Sequence, residues 1–445
     1  EDITAIQALS YQDGGVPIYH HHFYVDSSPR VADVDFNNGV GSPDWHTIVV
    51  GGLGKGGNSY YALDVTDLAS VPDEATAASK IMWEWTNADI RYTYGRPVIV
   101  KVRDAAYPTG RWVVIVTASY NNVSGLGKVF FLDAHTGTLL STVSTSAGSP
   151  ASPSGLAQIH AFVANENNQV AEQIYGGDLE GNLWRIDVSA SDQYKTATAV
   201  LFAQLSDGSA AQPITTAPQI EIDVNNGVDR YVFIGTGRLL HNDDLTTPAS
   251  PQTQTMYAIR DGTLTTFSTT GLPVQPRSTM AAVTADGCDP ITGGAPNGWY
   301  HDLPNTAGPP RDSERVVIDV QANVNIVQYI GTKVQDDPCL ISLPAVLYAR
   351  DYTTGKSLLL DPGTPPTSSD PVGNACVAGS AAIGNGIVAS IGLPNGAVGN
   401  ITIGRVQADG SQTLGALISG EVPGTTPLNL QNPVTGPGSR LSWRI

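Results

Sequence analysis

The stretch Gln173–Asp187, QIYGGDLEGNLWRID, is one of five variants of a single pattern along this chain, and that repetition limits the fold more than any other feature. Ile174–Tyr175 run into Gly176–Gly177, a polar Glu180–Gly181–Asn182 turn reverses the chain, and Leu183–Asp187 return with Trp184 and Ile186 on one face, at the period of two that strands impose. A two-stranded hairpin of this size cannot bury such a face alone. It must pack against its own copies, so a stacked repeat of small β units is expected.

The other copies are IVVGG followed by YYALD up to Asp64, Ile115–Ala118 followed by VFFLD up to Asp133, Phe233–Gly237 followed by MYAIR up to Arg260, and Tyr329–Thr332 followed by LYARD up to Asp351. Aligned on the last residue, the third position back is always aromatic: Tyr61, Phe130, Trp184, Tyr257 and Tyr348. One position back stand Leu63, Leu132, Ile186, Ile259 and, as the exception, Arg350. An aromatic and an aliphatic on one strand face suit sheet-on-sheet packing. Spacings between copies are irregular, at 69, 54, 73 and 91 residues, and the differences fall in the polar stretches 141–155, 242–255 and 363–374, which are surface insertions. After the strands come turn sequences such as DAHTG at 133–137 and DYTTG at 351–355. There an Asp carboxylate accepts from backbone N–H groups two residues on, so Asp64, Asp133, Asp187 and Asp351 are turn residues before they are catalytic candidates.

The length would allow two or three ordinary domains, but the repeats favour one large repeat domain over residues 1–445. Only 14% of residues are charged while 47 are Gly and 30 Pro, a profile of short strands and turns. The one helical candidate is Pro72–Ile81, with Pro at an N1-like position and acids in the first turn. The last ninety residues carry short β-prone runs at 386–393, 399–405 and 439–445 without a clear sixth copy. His20, His21 and His22 lie in a strand-like run among aromatics, where successive side chains face opposite ways, so they are strand residues rather than a metal cluster. A net charge of -18 repels nucleic acid and anionic lipid. No apolar run reaches membrane-spanning length, and the start at Glu1 without Met fits a processed chain or an excised domain. Cys288, Cys339 and Cys376 show no zinc or redox spacing. A Cys339–Cys376 disulfide would close a 36-residue loop, stabilising by about 3–4 kcal/mol and leaving Cys288 over; connectivity stays open.

Four segments, GGDLEGNLWRID at 176–187, VVGGLGKGGNSYYALDV at 49–65, YGRPVI at 94–99 and FIGTGRLL at 233–240, occur in an order that resembles the C-terminal domain of the PilC/PilY family, and the closing WRI resembles that family's last strand. These are type IV pilus biogenesis factors and tip-associated adhesins. The resemblance implies an all-β fold, a modified and irregular β-propeller of about seven blades, of which five repeats are visible here. It also implies a non-enzymatic role in pilus assembly and retraction control. Minor pilins and other type IV pilus components would be partners, together with a host-cell or surface ligand. By the same resemblance the chain would be the C-terminal part of a larger secreted protein, at the cell surface or pilus tip, exported through the periplasm of a Gram-negative cell and associated with its outer membrane.

Family members carry a calcium loop, DxDxDGxxD, before strands like Ile174–Tyr175. The corresponding nine residues here are ANENNQVAE at 164–172, with Ala164 in place of the first acid, Asn168 of the third and Gln169 of the turn glycine. That leaves Glu166, Asn168, the carbonyl of Val170 and Glu172 as calcium ligands, a depleted set, and a plain hairpin loop is the preferred reading. Asp33, Asp35 and Asn37 in DVDFNNGVGSPD form an alternative set and Asp223–Asp229 a shortened one, though Asn-Gly between β-prone runs is first of all a turn. No GxSxG, HExxH, P-loop or dinucleotide fingerprint occurs. Two rival readings are a quinoprotein-like propeller dehydrogenase and a propeller lectin using Trp112 and Trp299 as sugar platforms. Irregular blades and the lack of an adjacent cysteine pair weigh against the first, and packing within strands against the second.

Overall fold

In every copy of the repeat the two strands pair antiparallel, with the aromatic inside the ladder; Gly52, Gly177 and Gly235 lie opposite the residue just before it, and only in the fifth copy is the glycine, Gly331, one residue further on. Tyr61 lies opposite Gly51, Phe130 opposite Val116, Trp184 opposite Gly176, Tyr257 opposite Ile234 and Tyr348 opposite Tyr329. Phe130, Trp184, Tyr257 and Tyr348 are buried in these ladders, while Tyr61 of the first copy is half-buried. In this computed structural model residues 22–358 are described except 72, 224–228, 246–250, 265, 267–275, 284–296, 307–311, 324 and 336–343, together with strands at 11–13, 16–18, 359–360, 387–388, 391–393, 401–406 and 412–418. The three cysteines, His20, His21 and residues 439–445 lie outside the described residues.

Each hairpin forms the middle of a larger sheet. The first runs Arg30–Asp35, Trp45–Gly52, Ser59–Asp64, Ile81–Thr86; the second Val98–Asp104, Tyr107–Thr117, Lys128–Asp133, Leu139–Ser144. The third runs Ile159–Val163, Ala171–Gly177, Asn182–Asp187, Ala199–Gln204. The fourth runs Gln219–Ile222, Asp229–Gly235, Thr255–Thr263, Gly298–Asp302, with Ala281–Ala282 parallel at its edge. In the fifth, Gln321–Asn323 and then Asp312–Arg315 pair along the long strand Ile326–Gln335, which is followed by Ala345–Asp351 and Ile391–Leu393. Five sheets of four or more strands are therefore formed among the described residues, beside two-stranded pieces such as Ile401–Val406 with Gln412–Ile418.

Apolar layers join successive sheets. Tyr60, Val50 and Trp83 of the first meet Val114, Phe130 and Leu132 of the second; Ile115 and Phe131 of the second meet Ile174 and Ile186 of the third. Tyr175 and Phe202 of the third meet Ile234, Tyr257 and Ile259 of the fourth, and Phe233 and Trp299 of the fourth meet Tyr329 and Tyr348 of the fifth. From the second sheet on, the face bearing the repeat's aromatic looks back to the preceding sheet, and the intervening residues look forward. Both faces of the second sheet are buried, so Val129–Asp133 is buried throughout. Each fully buried large side chain contributes roughly 1.5–3 kcal/mol.

Glycines open the space for this packing. A Cβ on Gly177 would stand 2.2 Å from Ile214 Cγ2, and one on Gly51 2.5 Å from the Tyr61 hydroxyl. Turn carboxylates do what the sequence implies: Asp133 Oδ1 accepts from the His135 and Thr136 amides, and Asp351 Oδ1 from those of Thr353 and Thr354. Asp178 goes further. Its buried carboxylate accepts from the Glu180 and Asn182 amides, Asn182 Nδ2 and, at 2.9 Å, Trp184 Nε1, tying the turn to the repeat's aromatic. The helix is shorter than 72–81: it spans Glu74–Ala78, and Asp73 caps it by accepting from the Thr76 amide at 2.8 Å. Its end is set by the strand that starts at Ile81. Trp112 and Trp299 are buried, the latter donating to the Tyr352 carbonyl, so neither is a surface platform.

Candidate functional site

The first strands of the five sheets stand around a cavity of about 820 Å³, lined among others by Ala32, Val100, Ala161, Ile220 and Gln321. An axial channel is what a radial arrangement of such sheets leaves, and concave sites of this size are where ligands bind. The residues just before these strands gather at one mouth. Arg96 donates from its amide and Nε to Gln158 Oε1, at 3.4 and 3.3 Å, and Gln158 donates to the Tyr94 carbonyl. The Arg96 guanidinium is ion-paired with Asp319, whose other oxygen accepts from the Ala217 amide at 3.0 Å. Four sheets are bound together there by one short polar chain.

Arg30, at the start of the first sheet's inner strand, faces the same group, and its side chain makes no hydrogen bond among the described residues. Its side chain reaches solvent inside the channel yet is hemmed in by it. That desolvation, and next the Arg96 guanidinium, lower its pKa below the ordinary arginine range, with Asp319 opposing, and leave it a cation at neutral pH.

The loop 164–172 contributes Ala164, Glu166 and Gln169 to the lining. The structure gives its side chains work other than gathering round an ion. Asn168 Oδ1 accepts from the Val170 amide at 2.9 Å, and Gln169 Nε2 donates to the Glu166 carbonyl at 2.7 Å. Gln169 takes the left-handed conformation, φ 55°, at the position where the family has glycine. Glu172 lies in the strand Ala171–Gly177, with its oxygens 3.7 Å from Arg103 and 3.9 Å from Arg230. Two guanidinium groups beside the only acid at the loop's end are a poor setting for a hard cation. Among the described residues no three His, Cys, Asp or Glu side chains are grouped closely enough to hold a metal ion.

The alternative set is a turn. Asp35 accepts from the amides of Asn37, Gly39 and Asp44, at 3.1, 2.9 and 2.8 Å. Burial works against its charge, but these three donors outweigh it and hold the carboxyl below its ordinary range. Asp33 accepts from the Thr47 hydroxyl and Asn37 donates to the Ser42 carbonyl, so the three side chains do not converge. Asp223 bonds Asn325 across to the fifth sheet. Sequence reasoning missed the Arg30, Arg96 and Asp319 group. Only Arg96 carried a signal, inside YGRPVI, because channel strands lie outside the repeated hairpin.

Residues 1–279 match the family model of the PilY1 β-propeller domain. A type IV pilus biogenesis factor PilY1 of Pseudomonas aeruginosa is 30% identical over 285 residues, covering 59% of this chain and 22% of that protein. A PilY1 homolog of Xylella fastidiosa is 26% identical over 452 residues, covering 98% of this chain and 32% of that protein. The crystal structure of the Pseudomonas aeruginosa PilY1 C-terminal domain aligns with a TM-score of 0.65 at 21% identity, over 93% of this chain and 84% of that one. The chain spans 24% and 22% of the length of two of its Pseudomonas relatives. No helix among the described residues is long and apolar enough to cross a membrane. With equivalent hairpins set round a channel and a family match over residues 1–279 of 445, this chain belongs to the PilY1 β-propeller domain family.

Proposed function

We propose that this chain is the propeller of a type IV pilus biogenesis factor, acting without catalysis at the cell surface or pilus tip through contacts with minor pilins and other pilus components, and through adhesion to a host-cell or surface ligand. The observation that carries this reading is the likeness to a pilus biogenesis homolog over 98% of the chain. Its physical side is a rigid scaffold with variable loops on its faces, suited to protein partners. Deleting the coding segment in frame should abolish surface pili and twitching motility, with the rest of the protein still exported. Normal piliation in that strain would overturn the proposal. Turnover of alcohols by the purified chain after addition of pyrroloquinoline quinone and calcium would favour the dehydrogenase reading instead.

We also infer that the 164–172 loop keeps its shape without calcium. The support is that Asn168 and Gln169 bond within the loop and Glu172 faces Arg103 and Arg230. Melting midpoints in excess EDTA and in excess calcium should coincide. A ligand present at a hundred times its dissociation constant stabilises by about 2.7 kcal/mol, so a calcium site of ordinary affinity would be plain as an upward shift that Glu172→Gln removes.

A further inference from the structure

We propose that the Arg30 mouth of the axial channel binds the carboxylate of an apolar ligand, such as a peptide C-terminus. This inference is independent of the pilus reading. Two guanidinium groups, Arg30 and Arg96, face one carboxylate, Asp319, and the ion pair together with the Ala217 amide uses both oxygens of that acid. One positive charge is left over at the mouth of a cavity of about 820 Å³, in a chain whose net charge is -18.

Arg30 is the group that carries it. Its five N–H donors have no acceptor among the described residues, whereas those of Arg96 are turned to Gln158 and Asp319. A planar guanidinium fork matches a carboxylate in two parallel hydrogen bonds. A single surplus charge matches a monoanion, while a doubly charged phosphate would be under-neutralised beside Asp319. The walls next to this mouth are aliphatic: Val31 is 62% exposed, and Val98 and Ile99 are half-buried. An apolar body behind the carboxylate would cover them. The channel's other acids, Glu166 and Glu221, come from the loop 164–172 and the strand Gln219–Ile222, and Gln219 Nε2 donates to Glu221 Oε1 at 2.8 Å.

N-acetyl-leucine and its neutral twin N-acetyl-leucinamide share shape and differ in the charge that Arg30 would meet. Titration calorimetry of the whole chain at low ionic strength should show saturable, one-to-one binding of the acid, with the amide at least about tenfold weaker, the worth of a hydrogen bond to a charged group. Arg30→Gln should weaken the acid about tenfold and leave the amide unchanged, and Arg30→Lys should recover part of the loss. Equal binding of acid and amide to the unaltered chain would overturn the proposal, a result that needs no variant to fold. So would an undiminished affinity in folded Arg30→Gln, or a heat that grows linearly and matches sodium chloride at equal ionic strength.

Discussion

Asp261→Ala should lower the unfolding free energy by about 3–5 kcal/mol, the cost of removing one partner of a buried ion pair. Asp261 is fully buried on the fourth sheet. It accepts from Arg185 of the third sheet at 2.6 and 2.9 Å and from the Tyr175 hydroxyl at 2.5 Å. Removing the carboxylate leaves the Arg185 guanidinium, 4% exposed, inside an apolar layer with one face over the Phe202 ring. The loss comes from desolvation more than from the bond itself. Tyr175→Phe, which removes one hydrogen bond to a charged acceptor, should therefore cost less, about 1.5–3 kcal/mol. Replacing both ions, as Arg185→Met with Asp261→Leu, should recover most of the deficit. Urea titrations of the four proteins check this ordering; a single Asp261→Ala loss under about 1 kcal/mol would mean that the third and fourth sheets are not locked through this pair.

The same residues show how far the fold could be read from the chain. Periodicity picks out one face of each hairpin, and from the second copy on the aromatic at that face looks back to the preceding sheet. It does not reveal that the opposite face is buried as well, since runs such as VFFLD in a doubly covered sheet lose the alternation that marks a half-exposed strand. In the fourth copy the terminal Asp of the pattern appears replaced by Arg260. The next residue, Asp261, carries the acid instead, on the other face, where it serves an ion pair between sheets rather than a turn. Asp178 was visible only as part of a turn sequence, and nothing local marks its carboxylate as an acceptor for Trp184. Least legible was the channel. Its walls come from RVADVD, VIVKVRD, IHAFV, QIEI and QAN, which share no pattern because each faces a cavity rather than a copy of itself.

Arg350 is the one repeat position where an aliphatic gives way to a charge, and it adds to the burial that makes a neighbouring histidine acid-sensitive. The guanidinium is fully buried, donating to the Tyr329 hydroxyl at 2.8 Å and the Gly355 carbonyl at 2.9 Å, and it lies 3.3 Å from His301 Nε2. With Nε2 accepting from Arg350, the neutral ring carries its proton on Nδ1 and donates it to Tyr329 Oη, 2.8 Å away. Burial first, and the Arg350 charge second, hold the His301 pKa well below 6.5. Above pH 6.5 the group is neutral in both folded and unfolded chains and contributes no pH dependence. Below it the unfolded chain takes up a proton that the native fold refuses, so stability falls by about 1.4 kcal/mol per pH unit until the depressed native value is reached. His301→Gln keeps a polar partner for Tyr329 and cannot titrate. The gap in unfolding free energy between the unaltered chain and this variant should therefore change in the variant's favour by about 1.4 kcal/mol for each unit between pH 6 and pH 5, and stay constant from pH 7 to pH 8. Arg350→Leu restores the aliphatic of the other four copies and removes the repelling charge. It should shorten the acid window without abolishing it, because burial remains. Parallel stability curves for the unaltered and His301→Gln chains across this range would show that the buried imidazole is protonated in the native fold, and with it that Arg350 does not set its state.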